Sequence, residues 1–126
     1  MTKPLFTSQE AEASLQTQSW GSLCWVANGE IGNVNDLTLG RVVIRSGCSN
    51  PRHCHPSCEE VLLLLSGTLE HTLGEETFSL NPGDTLSIPP GIFHNARTTS
   101  EEDAVMIVAY SIGQRDFVLE DASGTR

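Results

Sequence analysis

Three of the four histidines share one spaced pattern with a glutamate, and that set could hold a single metal ion. Gly47 is followed by five residues and His53, by one residue and His55, by four and Glu60, and by six and Gly67. A second run reads Gly83, five residues, Pro89, one residue, Gly91, two residues and His94. Imidazole nitrogens with one carboxylate oxygen suit a divalent transition metal such as Zn, Mn, Fe, Ni or Co. An isolated His-x-His pair beside a turn would mean little. Here nine spaced positions agree, each expected by chance about one time in twenty at average residue usage.

Strands must position these groups. Residues two apart on a strand point the same way, so His53 and His55 can reach one ion while Cys54 between them faces away. Pro51 and Pro56 bracket the pair and keep it out of a helix. Glu60 lies far enough beyond His55 for a turn and a return on the adjoining strand. His94 is much more distant in sequence, so the chain must fold back to supply it. Gly47, Gly67, Gly83 and Gly91 end apolar segments, where tight turns call for positive φ or close approach. Pro89 and Pro90 stiffen the approach of the last histidine.

Residues 1–18 are polar, and Thr7 with Glu10 resembles a capping box opening a short helix through Gln16. From Trp20 onward, short apolar runs alternate with Gly, Asn, Asp and Pro, the pattern of an all-β sandwich or barrel. Strands are predicted over 22–27, 37–45, 59–65, 68–73, 76–80, 85–88, 93–98 and 105–111. The run 59–65 is apolar on both faces, so neither should meet water. One face can line a barrel, and a homodimer is the economical cover for the other. His71 shares a face with Leu69 and Leu73, where a lone histidine is more often a packed or surface side chain than a ligand.

A chain of 126 residues points to one domain, and its 38% hydrophobic content can fill a core. No stretch approaches the roughly 20 apolar residues of a membrane span. The N-terminus lacks the apolar centre of a signal peptide, so a cytoplasmic location is expected. The formal net charge is -9, with no cluster of Lys or Arg. That balance argues against nucleic acid and anionic membrane as partners. Cys24, Cys48, Cys54 and Cys58 are read as reduced packing residues rather than bridges or a zinc ribbon. Cys58 is placed in a loop, open to oxidation.

Both spaced motifs resemble those of a small single-domain cupin, separated by the short run from Thr68 to Pro82. The resemblance spans about residues 20–117, with 1–19 as an N-terminal extension and 118–126 as a C-terminal tail. It implies a double-stranded β-helix, or jelly roll, with the metal inside one end of the barrel, and commonly a dimer. Carried over by position, His53, His55, Glu60 and His94 are the ligands. Glu59 adjoins Glu60, but only Glu60 has six residues before Gly67. The asparagine that the family has after its last histidine falls at 98, where this chain has Thr98.

A divalent ion with three neutral imidazoles and one carboxylate keeps a net charge near plus one. That favours a small polar or anionic molecule, and cupins with this shell include isomerases, lyases, ring-opening enzymes, oxygenases and sensors. The layout is similar to small cupins that open unsaturated uronates, which implies a carbohydrate-like or organic-acid substrate. Those enzymes carry an Asp, an aromatic and an Arg near the last strand. Tyr110 keeps the aromatic, whereas Val108 replaces the Asp and Gln114 the Arg, with Arg115 one residue late. Tyr110 and Arg41 are the candidate catalytic residues, Arg41 as a partner for a substrate carboxylate. Trp20, Trp25 and Phe93 are candidate pocket walls. An iron-dependent dioxygenase and a non-catalytic small-molecule sensor are the alternative functions.

Overall fold

The computed structural model describes residues 4–120. Its first element is α1 (Ser8–Glu12). The expected capping box is present, with Thr7 Oγ1 accepting from the Glu10 backbone N–H and Glu10 Oε1 accepting from that of Thr7. The helix ends sooner than expected, because residues 16–18 form strand β1 (Gln16–Gln18) instead. All three of these residues are exposed, so no alternation marked them.

Ten further strands follow: β2 (Gly21–Ala27), β3 (Thr38–Ile44), β4 (His53–Cys54), β5 (Glu60–Ser66), β6 (Leu69–Leu73), β7 (Glu76–Leu80), β8 (Thr85–Ile88), β9 (His94–Arg97), β10 (Ala104–Tyr110) and β11 (Val118–Leu119). They make two antiparallel sheets, ordered β1-β2-β3-β10-β5-β8 and β11-β4-β9-β6-β7. This is the expected all-β jelly-roll barrel, and the sequence-predicted strands fall within a residue or so of the observed ones. Residues 16–18 of the expected N-terminal extension and 118–119 of the expected tail are woven into it, as β1 in the first sheet and β11 in the second. Among the described residues no helix is long and apolar enough to cross a membrane.

Alternation along β5 and β10 decides what faces the core. Leu62 and Leu64 point inward with Met106 and Val108, and Ile44, Leu69 and Ala96 pack against them. Val61, Leu63 and Leu65 point outward, 41%, 37% and 47% exposed. Ile107 sits between Arg41 and Leu63, and Ala109 between Leu39 and Val61, so an apolar stripe runs across the outer face. The sequence expectation that neither face of this strand meets water therefore holds within one chain for the inner face only.

Turn chemistry ties the sheets together. Gly67 has a φ of +79°, and a Cβ there would lie 2.4 Å from the Asp103 carbonyl oxygen. Glycine is therefore required twice over, by conformation and by space. Thr98 is buried, accepts from the Gly47 N–H at 2.7 Å and donates to the Arg45 carbonyl. The residue that departs from the family pattern thus anchors the turn opening the first motif. All four cysteines are free. Cys58 is in a loop as expected, but it is 3% exposed, which shields it.

Candidate metal centre

Sheet pairing brings the four candidate ligands together at one end of the barrel. His53 on β4 is the register partner of His94 on β9. Glu60 opens β5, opposite Tyr110 of β10 on one side and Ile88 of β8 on the other. His55 lies just beyond β4, its ring 4.9 Å from that of His53 and 5.2 Å from that of His94. One nitrogen from each of His53, His55 and His94 lies within 4.8 Å of the others, a set that could hold a metal ion.

The backbone aims these rings. Nδ1 of His53 meets the Pro51 carbonyl at 2.8 Å, Nδ1 of His55 the Asp116 carbonyl at 2.7 Å, and Nδ1 of His94 the Ile92 carbonyl at 2.9 Å. A carbonyl can only accept, so each Nδ1 carries a hydrogen, and in a neutral ring so held Nε2 offers its lone pair. Nε2 of His55 and of His94 lie 3.2 and 3.3 Å from Glu60 Oε1. All three atoms are buried and none has a hydrogen-bond partner. With both rings neutral, three acceptors face one another, an arrangement that a cation among them would satisfy. Donors on one ion at bond lengths of about 2.0–2.2 Å stand roughly 3 Å apart, so the observed spacing fits a transition metal.

Burial sets the protonation states. For Glu60, burial pushes the carboxyl upward, while hydrogen bonding and charge from His55 and His94 hold it below the usual carboxylate range where no metal is bound. Burial, with His94 and His55 close by, lowers His53 to about 4. Ligating imidazole must be neutral and ligating carboxylate ionised, and the lowered values of His53 and Glu60 favour those states at neutral pH.

A cavity of about 180 Å³ opens from this cluster, lined by His53, Glu60, His71, His94, Tyr110 and Arg115 among others. His71 stays outside the metal-holding set but is buried, its ring stacked at 5.5 Å on His94. Burial and His94 lower it to about 4, so it is a neutral imidazole in the cavity wall. Tyr110 is buried with its ring 4.9 Å from that of His55. Burial and the neighbouring Glu60 carboxylate hold its phenol well above the usual range, so it keeps its proton. Trp20 lines this cavity as expected, whereas Trp25 lines a second one and Phe93 lines neither.

Arg41 is placed elsewhere. It is exposed on the outer face of β3, between Cys24 and Ile107, and does not line the cavity. Its neighbours Gly40 and Val42 take the inward positions, and strand period forbids Arg41 from joining them. The cation that does line the cavity is Arg115.

The C-terminal segment is a strap over the ligand strand, and sequence reasoning missed it. Val118 pairs with Cys54 and Leu119 with His53. Ser57 donates to Asp116 Oδ2 at 2.8 Å, and Arg52 Nε donates to Glu120 Oε1 at 2.9 Å. The Asp116 carbonyl at its centre orients His55. A two-residue exposed strand has no periodicity to read, so only the tertiary contacts reveal it.

The cupin-domain family model, Cupin_2, matches residues 40–110. The chain is 31% identical over 114 residues to germin-like protein subfamily 2 member 1 of Arabidopsis thaliana, an alignment covering 84% of this chain and 52% of that protein. It is 27% identical over 118 residues to an oxalate oxidase of Triticum aestivum, covering 85% of this chain and 53% of that one. The chain thus spans about half the length of these curated relatives. A solved mutant of the Bacillus subtilis oxalate decarboxylase superposes with a TM-score of 0.79 at 18% identity, over 86% of this chain and 30% of that one.

Proposed function

This chain belongs to the cupin family, and from that premise we propose a metal-dependent enzyme acting on a small organic-acid or carbohydrate-like substrate. His53, His55, Glu60 and His94 hold its one divalent ion, of Mn, Fe, Zn, Ni or Co. The observation that carries this reading is the convergence of buried, unpartnered Nε2 and Oε1 atoms at the closed end of an open cavity.

A divalent ion bound there supplies Lewis acidity toward an oxygen of the substrate, or lowers the pKa of a water. The remaining roles fall to this chain's own side chains. Ionised Glu60 offsets one unit of the ion's charge, which leaves the site attractive to an anion. Tyr110, held protonated, can donate to a substrate oxygen but cannot serve as a base. His71, held neutral, presents an imidazole to the cavity beside His94. Protonated phenol and neutral imidazole in one cavity support proton-transfer chemistry, meaning isomerisation, ring opening or lyase elimination.

The second reading is an iron-dependent dioxygenase or oxidase, favoured by sequence similarity to an oxalate oxidase. Oxygen uptake on addition of Fe(II) and an organic acid would establish it over the first. Metal retention without turnover of any acid would instead point to a binding or sensor barrel. The apolar outer face supports pairing of two copies.

Elemental analysis of the purified chain tests the common premise. Near one equivalent of metal is expected for the natural sequence, and far less for His55→Ala. Equal metal in both would sink the ligand assignment.

A further inference from the structure

Arg115 is held unlike two other arginines of this chain. Arg52 is engaged by Glu120 and Arg97 by Glu70. No hydrogen bond or ion pair engages the Arg115 guanidinium among the described residues, in a protein with 16 acidic side chains. Its immediate neighbour Asp116 is turned to Ser57, from which Oδ2 accepts. Aromatic rings hold it instead: Arg115 Cζ lies 4.7 Å from the ring centroid of Trp25, 5.0 Å from Phe117 and 5.7 Å from Tyr110.

Rings grip the flat face of a guanidinium but leave its in-plane N–H donors unsatisfied. Those donors match the two oxygens of a carboxylate, and a half-buried position strengthens the pairing over one in open water. The location is equally specific. Arg115 and Phe117 line both the metal cavity and a second cavity of about 290 Å³, and Trp25 faces the second one. That second cavity is polar, lined by Gln16, Asn28, Glu30, Thr38 and Gln114. Glu30 disfavours a second anion there, while amides and hydroxyls suit neutral hydrogen-bonding groups.

We propose that Arg115 is the carboxylate anchor of this site, positioned between the metal end and a second subsite that takes neutral hydroxyl groups. The ligand is then a hydroxylated monocarboxylate rather than a bare diacid bound at the metal alone. This deepens the proposed function and rests on it for the metal end only. Arg115 selects the substrate through its charge, and the three rings fix the direction in which the donors point.

The matched probes are D-glucuronate and its neutral amide, D-glucuronamide, titrated calorimetrically into the Mn(II)-loaded and the metal-free full chain. The natural sequence should bind the acid at least about tenfold more tightly than the amide, the scale of a hydrogen bond to a charged group. Arg115→Gln should abolish that preference while leaving manganese content and amide affinity unchanged, and Arg115→Lys should keep part of it. A merely structural arginine would lower both affinities together, and that result overturns the proposal. So does an acid preference that survives Arg115→Gln, or no binding of glucuronate to either form. Absent manganese uptake with an intact, Arg115-dependent acid preference would sink the metal reading and leave the anchor standing.

Discussion

On strands β5 and β10 the inner face is not wholly apolar and the outer face is not polar. Their inner face buries Glu60 and Tyr110 against three histidines, while their outer face leaves Val61, Leu63 and Leu65 open. Burial of polar groups is expensive unless each finds a partner. Inside, Nδ1 of every candidate histidine ligand has a carbonyl, and the atoms left over all point at one place. Outside, the described side chains of these two strands are apolar, the kind of exposed stripe on which association can be tested. The difference teaches that on one pair of strands the candidate chemical face is recognised by its buried polar atoms, which the exposed apolar face lacks.

Removing an inner ligand is the sharpest way to break the comparison. His94→Ala should take bound metal from near one equivalent to near none by elemental analysis, since one of four donors disappears from a buried site. Leu64→Ala, fully buried on the same inner face, should leave metal content intact in the folded protein. It should cost about 2–5 kcal/mol of stability by urea unfolding. A smaller cost would mean that this core is looser than its burial implies.

Acid should act on the inner face next. Stripped of metal, the protein keeps His53 and His71 neutral down to about 4, whereas an unfolded histidine protonates near about 6.5. Between those values the unfolded state binds more protons, so stability falls as pH falls. Each histidine contributes a slope of up to about 1.4 kcal/mol per pH unit, and His71→Gln should remove its share from urea midpoints measured across that window. A flat profile would show that the imidazoles are not buried neutral.

Thr98→Val should cost about 1–3 kcal/mol, again with metal retained. It leaves the Gly47 N–H and the Arg45 carbonyl without their partner. The smallest effect belongs outside. Leu63→Asp should change stability by no more than about 0.5 kcal/mol and leave the metal in place. If the outer face pairs two copies, this substitution should lower the sedimentation coefficient to that of a monomer, and an unaltered profile would remove that role from the stripe.

Much of the site is legible in the sequence. Ligand spacing names His53, His55, Glu60 and His94, and the same four converge. The sequence also sets His71 apart from the ligands, yet its place in the cavity wall is not visible there, because alternation says which residues share a face and not what that face meets. Arg41 fails for the same reason. It stands on a strand whose neighbours are small or apolar on both sides, so the period could not tell inward from outward. Arg115 follows the last long strand in an irregular segment with no period at all. Two of the rings that hold it, Trp25 and Tyr110, come from strands far apart in the chain.

What the sequence alone determined is the barrel and its ligand chemistry. Period-two alternation, turn-forming glycines and the side chains able to bind a metal are local properties, and local properties are written in order along the chain. Only the tertiary structure decided which cation faces the cavity, which backbone carbonyls orient the imidazoles, and that the C-terminal strap completes the site. Those depend on contacts between residues as far apart as His55 and Asp116, whose meeting follows from how two sheets close on each other.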